Sequence, residues 1–279
     1  MAIPILHFWR NYFDNPDEGL GSSYERVIIN NVLMEIITRF QVTSLLETPV
    51  FGFTGISGIN SMQAAISGCK VRLLDDSRER AALISNLWDR CGLTCQMDVS
   101  EDFSKLEYND KSFDLSWNFS AMWFVKDLEL FLGELTRVTK KAILISVPNR
   151  YGLGYISQKM SGKEDLKRLL KEEHIIPERI IKTFSALGWK LLEQDYFDCP
   201  LWPDIGMPKA KFLSKFGLGF LLPEKDAVAE PLTILDYYTG KKPEFAEEMM
   251  KYSLLEQYAP KVFKRFWAHH FYLLFVPSE

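Results

Sequence analysis

Three acids, Glu47, Asp75 and Asp98, recur along this chain where a ligand's hydroxyl or amino groups could be held. Glu47 opens the stretch Glu47-Thr48-Pro49-Val50-Phe51-Gly52-Phe53-Thr54-Gly55-Ile56-Ser57-Gly58. Gly52, Gly55 and Gly58 remove the Cβ where backbone must pass close to a ligand. Asp75 lies 17 residues beyond Gly58, where a carboxylate at a strand end can accept hydrogen bonds from both hydroxyls of a ribose. Asp98 then recurs after the next apolar segment. Two acids at successive strand ends beside a glycine turn mark the carboxyl edge of a sheet, where open α/β proteins bind ligands. Taken singly, each acid also reads as a loop cap, and the turn as strand-to-helix packing.

Such acids need a sheet to hold them. Residues 24–40 carry Val27, Ile28, Val32, Leu33, Ile36 and Ile37 at helical intervals, and 42–47 read as a buried strand. A helix over 61–67, a strand over 70–74 and a helix over 79–89 make a βαβ unit, followed by strands at 94–97, 113–117 and 142–147. Residues 177–187 read as a helix ended by Gly188, 190–195 as a sixth strand and 269–276 as the last. Strands separated by helices predict a parallel, doubly wound sheet. The segment before the last strand is rich in proline and aromatics and holds two lysine-bearing helical patches, 209–220 and 243–267. It is far longer than an ordinary strand connection.

The composition restricts the function classes. With 33 Lys+Arg against 37 Asp+Glu the net charge is −4, and no basic block supports a surface that tracks nucleic acid. No apolar run approaches the roughly 18–20 residues of a membrane span, and the first residues lack a secretory pattern, so cytoplasmic residence is expected. Of Cys69, Cys91, Cys95 and Cys199 only Cys91 and Cys95 lie close together. Without a second pair, no metal site is expected and the thiols read as reduced and structural.

Five motifs in order carry a resemblance. They are Ser44-Leu45-Leu46-Glu47 with its glycine turn; Val71-Arg72-Leu73-Leu74-Asp75-Asp76-Ser77; Asp98-Val99; Ser112-Phe113-Asp114-Leu115-Ser116-Trp117; and Leu135-Thr136-Arg137-Val138 leading to Ile143-Leu144-Ile145-Ser146-Val147-Pro148-Asn149. Over residues 22–149 the chain resembles the class I S-adenosylmethionine-dependent methyltransferases, in particular their small-molecule, type 11-like group. The resemblance implies a three-layer, Rossmann-like, doubly wound sheet of seven strands, mostly parallel with an antiparallel last strand, and a helical insertion before that strand. It implies S-adenosyl-L-methionine as cofactor and S-adenosyl-L-homocysteine as product. By the same resemblance Glu47, Gly52, Gly55 and Gly58 position the methionine portion, Asp75 holds the ribose with Asp76 beside it among the cofactor-binding residues, and Asp98 and Val99 meet the adenine. Asn118 and Phe119 then face the cofactor, and Tyr24 closes over it. The turn departs from the family's, since Pro49 stands at the first glycine position and the glycines fall later. Thr139-Lys140-Lys141 likewise replaces the usual Lys-Pro-Gly-Gly before the fifth strand.

The expected layout is one domain, 1–279. It has an amino-terminal lid (1–21), a sheet core (22–199 and 268–279) and an aromatic-rich substrate cover (200–267). A methyl already activated on a sulfonium needs alignment and exclusion of water more than a dedicated catalytic residue. The acceptor is expected to be a small or lipid-like molecule. Ser116-Trp117-Asn118-Phe119-Ser120 lacks the Asn-Pro-Pro-aromatic run of nucleobase amine methylation, so DNA is not expected as a substrate. Candidate bases are Tyr24, His174, His269 and His270. His269 and His270 are expected on opposite faces of the last strand, and His174 among solvated charges. Patch 209–220 offers a membrane-surface contact as a further alternative. Two other readings stay open: a catalytically silent protein of this fold that works through protein contacts, and an NAD(P)-dependent oxidoreductase, whose glycine turn should be tighter.

Overall fold

The computed structural model describes residues 9–51, 55–160, 170–203, 215, 217 and 231–278. Seven strands form one sheet: β1 (Ser44–Glu47), β2 (Lys70–Asp75), β3 (Gln96–Val99), β4 (Phe113–Phe119), β5 (Thr139–Pro148), β6 (Trp189–Phe197) and β7 (His270–Pro277). Their order is β3-β2-β1-β4-β5-β7-β6. The pairs β1/β2, β1/β4, β2/β3 and β4/β5 are parallel, and β7 runs antiparallel to both β5 and β6. This is the doubly wound sheet with a reversed last strand that the sequence predicts. The winding changes direction between β1 and β4, which puts the ligand crevice of such folds beyond Glu47 and Phe119.

The helices are α1 (Asn11–Asp14), α2 (Gly19–Phe40), α3 (Met62–Ile66), α4 (Arg78–Arg90), α5 (Leu128–Val138), α6 (Leu153–Met160) and α7 (Pro177–Ala186). Side chains alternate across the strands, so two cores result. Leu45, Leu73, Trp117 and Leu144 face α2 residues such as Leu33 and Ile37. Leu46, Leu74, Ile143 and Ile145 face Phe131 and Leu135 of α5 and Ile180 and Phe184 of α7. Each such side chain contributes about 1.5–3 kcal/mol by leaving water. Local capping sets where helices begin. Ser77 accepts the amide of Arg80 at the start of α4, and Asp127 that of Leu130 at the start of α5.

Three expectations shift. Helix α2 begins at Gly19, five residues ahead of the apolar periodicity that starts at 24, so Tyr24 lies well inside it. Asp98 lies inside β3, which starts later than 94. Residues 243–267 form three short helices, Phe245–Met250, Leu254–Tyr258 and Lys261–Trp267. Pro260 ends the middle one, because proline cannot supply the amide that would continue it. Phe245, Met249 and Tyr252, with Leu235 and Tyr238 of the short helix Leu235–Tyr238, extend the core over α2. There Tyr238 Oη meets Asn30 at 3.1 Å. Most of patch 209–220 lies outside the described residues.

Gly58 shows what the glycine turn requires. Its φ is +76°, and a Cβ there would sit 2.7 Å from Ile84 Cδ1 of α4. Gly58→Ala is therefore expected to destabilise the chain by about 1–3 kcal/mol. In a denaturant titration, Gly58→Ala combined with Ile84→Ala should cost less than the two separate losses added together. Strict additivity would show that Ile84 is not what Gly58 accommodates.

Candidate functional site

The carboxyl edge of the sheet is assembled by register. Glu47 stands opposite Leu73 of β2 and Trp117 of β4, and Asp75 opposite Val99 of β3. Alternation then puts Glu47, Asp75, Val99 and Phe119 toward the α2 side, and Asp98 and Asn118 toward the other face.

Glu47 is 1% exposed. Its carboxylate accepts Ser61 Oγ–H at 2.5 Å and Asn60 Nδ2–H at 3.1 Å. Asn60 Oδ1 in turn accepts from Arg26 Nη1. Arg26, itself 1% exposed, donates from Nη2 to Glu18 Oε1 at 3.0 Å and to the carbonyl of Ile56 at 2.7 Å. Glu18 Oε1 also accepts the amide of Ile56 at 3.1 Å. An ion pair from α2 and the residue before it thus holds the glycine turn from outside. Gly55, at φ +79°, makes room for it, since a Cβ there would lie 2.3 Å from Glu18 Oε1. Gly52 lies outside the described residues. Beside this network the hydroxyls of Thr48 and Ser57 are buried and lack a partner among the described residues.

Burial pushes the Glu47 carboxyl up to about 7, against the opposing pull of Ser61, Asn60 and Arg26. Because its folded value lies above the ordinary carboxylate value, the folded state favours the neutral acid. That contribution is full at low pH and is lost as pH rises through about 7, a change of about 3 kcal/mol. Glu47→Gln should therefore show no such decline, and at pH 8 should exceed the parent in stability. Denaturant titrations of both proteins at pH 5 and pH 8 check this, and parallel profiles would contradict it.

Asp75 is fully buried. Arg80 of α4 binds it in a bidentate fork, Nε to Oδ2 at 2.8 Å and Nη2 to Oδ1 at 2.5 Å, and the amide of Ser77 adds a bond at 2.8 Å. Burial still raises Asp75 to about 6, against Arg80. The guanidinium also binds half-exposed Asp76. It lies 3.6 Å from the Phe51 ring centroid and 5.2 Å from that of Trp9, so the amino-terminal segment reaches the end of β2. Asp98 is committed elsewhere: it accepts Tyr108 Oη–H at 2.8 Å and pairs with Arg72 at 3.1 Å. Asn118 braces the edge, donating to the carbonyl of Thr48 at 3.0 Å and accepting the amide of Ala121 at 3.2 Å. Tyr24 is buried edge-on to Trp202, with centroids 5.7 Å apart, and its hydroxyl has no partner among the described residues.

The histidines depart from expectation. His174 is 5% exposed, not solvated, because the turn Glu172–Ile175 packs under Met122 and Trp123. Burial lowers its pKa. His269 and His270 do not diverge, since β7 starts only at His270. Both are buried and reach toward one carboxylate, Asp198, from His269 Nδ1 at 2.7 Å and His270 Nε2 at 4.0 Å. His270 also meets Glu25 Oε2 from Nε2 and Ser120 Oγ from Nδ1, each at 3.0 Å. Phe119 covers its ring at 4.8 Å. Ser120 and Asp198 are two of the four non-glycine residues with positive φ among the described residues.

Sequence reasoning missed Glu18, Glu25, Arg26, Arg80 and Asp198. One signal was present: Glu25-Arg26 interrupts a helix that is apolar on nearly every side, and charges without a solvent face must find partners. For Asp198 there was none.

Residues 54–145 match the model of a family described as a methyltransferase domain. No curated protein matches the chain. Among solved structures, a Haloferax volcanii protein assigned as a methyltransferase, in complex with the Trm112 methyltransferase activator, is 16% identical with a TM-score of 0.53, over 97% of this chain and 98% of that one. An S-adenosylmethionine-dependent methyltransferase from Clostridium acetobutylicum is 10% identical with a TM-score of 0.51, over 92% of each. The [4+2]-cyclase SpnF is 14% identical with a TM-score of 0.50, over 89% of this chain and 80% of that one. At these identities the structural likeness concerns the fold. The seven-strand order with its antiparallel β7 is that of the class I methyltransferase fold, and the family match runs from the turn after β1 into β5. Over residues 54–145 the chain is thus similar to the methyltransferase-domain family, and its fold is shared with an S-adenosylmethionine-dependent methyltransferase.

Proposed function

We propose that this chain binds S-adenosyl-L-methionine across the ends of β1, β2 and β4 and transfers its methyl group to a small-molecule or lipid-like acceptor. The observation that carries the reading is Glu47. A buried carboxylate poised at about 7, beside the unpartnered hydroxyls of Thr48 and Ser57, suits the cationic methionine end of that cofactor. When bound, the cofactor supplies a methyl already activated on a sulfonium.

The chain's residues then bind, orient and exclude water. Glu47 takes the ammonium group, and Gly52, Gly55 and Gly58 shape the turn. Asp75 and Asp76 take the ribose in competition with Arg80, Val99 borders the adenine, and Phe119 walls the methyl. For Asp98 and Asn118 the contribution is support of the edge, since their polar atoms are already engaged. Tyr24 and Trp202 seal the inner side, with residues 1–21 and 200–267 as lid and cover over the sheet core. Exposed Leu254, Tyr258, Val262 and Phe266 favour an apolar acceptor or surface near that cover. Among the described residues no helix is long and apolar enough to cross a membrane, and we place the protein in the cytoplasm.

The test is transfer of label from methyl-labelled cofactor into a metabolite or lipid extract. Transfer should occur with the parent chain and vanish with Asp75→Ala. One observation favours a second reading, a silent protein of this fold: Arg80 holds both oxygens of Asp75. On that reading S-adenosyl-L-homocysteine does not bind until Arg80 is removed.

A further inference from the structure

Three short helices turn apolar pairs to solvent. Leu254 and Tyr258, Val262 and Phe266, and Ile156 and Met160 of α6 are each spaced four residues apart, so each pair lies on one helix face. Leu254, Tyr258, Val262, Phe266 and Met160 are all more than half exposed, and the helices Leu254–Tyr258 and Lys261–Trp267 contain no buried residue. These helices are nonetheless held in place. Asn149, at the end of β5, donates to the carbonyls of Arg265 and Ala268 at 2.8 Å each, and Trp267 Nε1 donates to the carbonyl of Pro200 at 2.7 Å. The Arg265 guanidinium lies 4.2 Å from the Tyr151 ring centroid, which joins the helix Lys261–Trp267 to the start of α6.

The charges on this face are mainly positive. Residues 149–160 contain Arg150 and Lys159 and no acid. Residues 251–267 contain Lys251, Lys261, Lys264 and Arg265 against Glu256, which is turned inward onto the amide of Cys199. Carboxylates reach three of these six cations: Glu172 meets Lys159, Asp195 meets Lys261 and Glu256 meets Lys264. A groove of about 460 Å³ is lined by Arg150, Lys261 and Arg265, with Asp195 paired to Lys261 and Glu178 as its other acid.

We propose that this face docks on an anionic bilayer surface, Val262, Phe266 and Met160 entering the acyl boundary while Arg150, Lys261 and Arg265 meet lipid phosphates. Helices that lie in a membrane interface combine an apolar face with flanking cations, and Tyr151 and Tyr258 supply rings suited to the headgroup level. A second copy of the chain is the other occupant that such a patch invites. A two-fold contact through this face would set the same cations against each other, and like charges oppose it. Lipid phosphates complement them. Docking goes beyond the methyl-transfer reading and does not need it, since it is measured without cofactor and either can fail alone.

The experiment is flotation of the full chain with vesicles of phosphatidylcholine alone and of phosphatidylcholine mixed equally with phosphatidylglycerol. Each cation near an anionic surface contributes about fivefold in affinity, so three predict a preference of about 100-fold for the mixed vesicles. That preference should shrink in high salt. Phe266→Asp should weaken binding by about tenfold or more while the circular dichroism spectrum and Tm stay those of the parent. Arg150→Glu combined with Arg265→Glu should abolish the preference for mixed vesicles. The proposal is overturned by a parent that does not float at low salt, by equal binding to both vesicles, or by a folded Phe266→Asp that binds as the parent does. A dimer in sedimentation that Phe266→Asp dissolves would assign the face to a second copy and overturn it as well. If Phe266→Asp does not fold, Met160→Asp on α6 makes the same test.

Discussion

Glu18→Ala lowers the stability of the chain by about 3–5 kcal/mol, the cost of leaving a buried guanidinium without its carboxylate. Glu18 and Arg26 are essentially inaccessible as side chains and 3.0 Å apart, so water cannot take over the lost partner. The amide of Ile56 loses its acceptor in the same substitution. The loss should not stay local, because Arg26 also holds Asn60, which holds Glu47. Cofactor affinity should therefore fall together with stability. Urea denaturation gives the first quantity and titration with S-adenosyl-L-homocysteine the second. A loss under about 1 kcal/mol, the size of an exposed pair, would mean that Arg26 finds another carboxylate or water and that the clamp is not what holds the turn.

Asp75→Ala weakens binding of S-adenosyl-L-homocysteine by about 100-fold, since two hydrogen bonds to a charged acceptor are worth about 3 kcal/mol together. Arg80→Ala tests the other side of the same contact. The fork from Arg80 occupies both oxygens of Asp75, so a ribose must compete with it, and removing it should leave affinity equal to the parent's or higher. Calorimetric titration of the three proteins separates the readings. Equal affinity in Asp75→Ala and the parent would remove Asp75 from the site. Binding that emerges only in Arg80→Ala would identify a latched, silent protein.

Much of the sheet was legible in the sequence because period and punctuation are local. Apolar runs such as 142–147, the acid-ended run at 70–75 and Gly188 behind a helical stretch depend only on neighbours a few residues away. The antiparallel last strand and the insertion before it followed from the same reading joined to the five-motif resemblance. What shifted also has local causes. Helix α2 runs back to Gly19, next to Glu18 in its buried pair with Arg26, and Pro260 divided a helical patch. Asp98 shows the limit of motif position: it stands where expected along the chain, yet alternation turns it to Arg72 and Tyr108.

Short segments alone were enough to predict a doubly wound sheet with Glu47 and Asp75 on one edge, because strand alternation and acid placement are local properties. What those acids meet depends on contacts between distant segments. Arg80 reaches Asp75 within one βα unit, but its fork depends on the angle at which α4 leaves the sheet. Glu25 and His270 are 245 residues apart, and no spacing rule links them. They meet because α2 packs beside the end of β7, and a buried carboxylate must find its partner wherever packing places it.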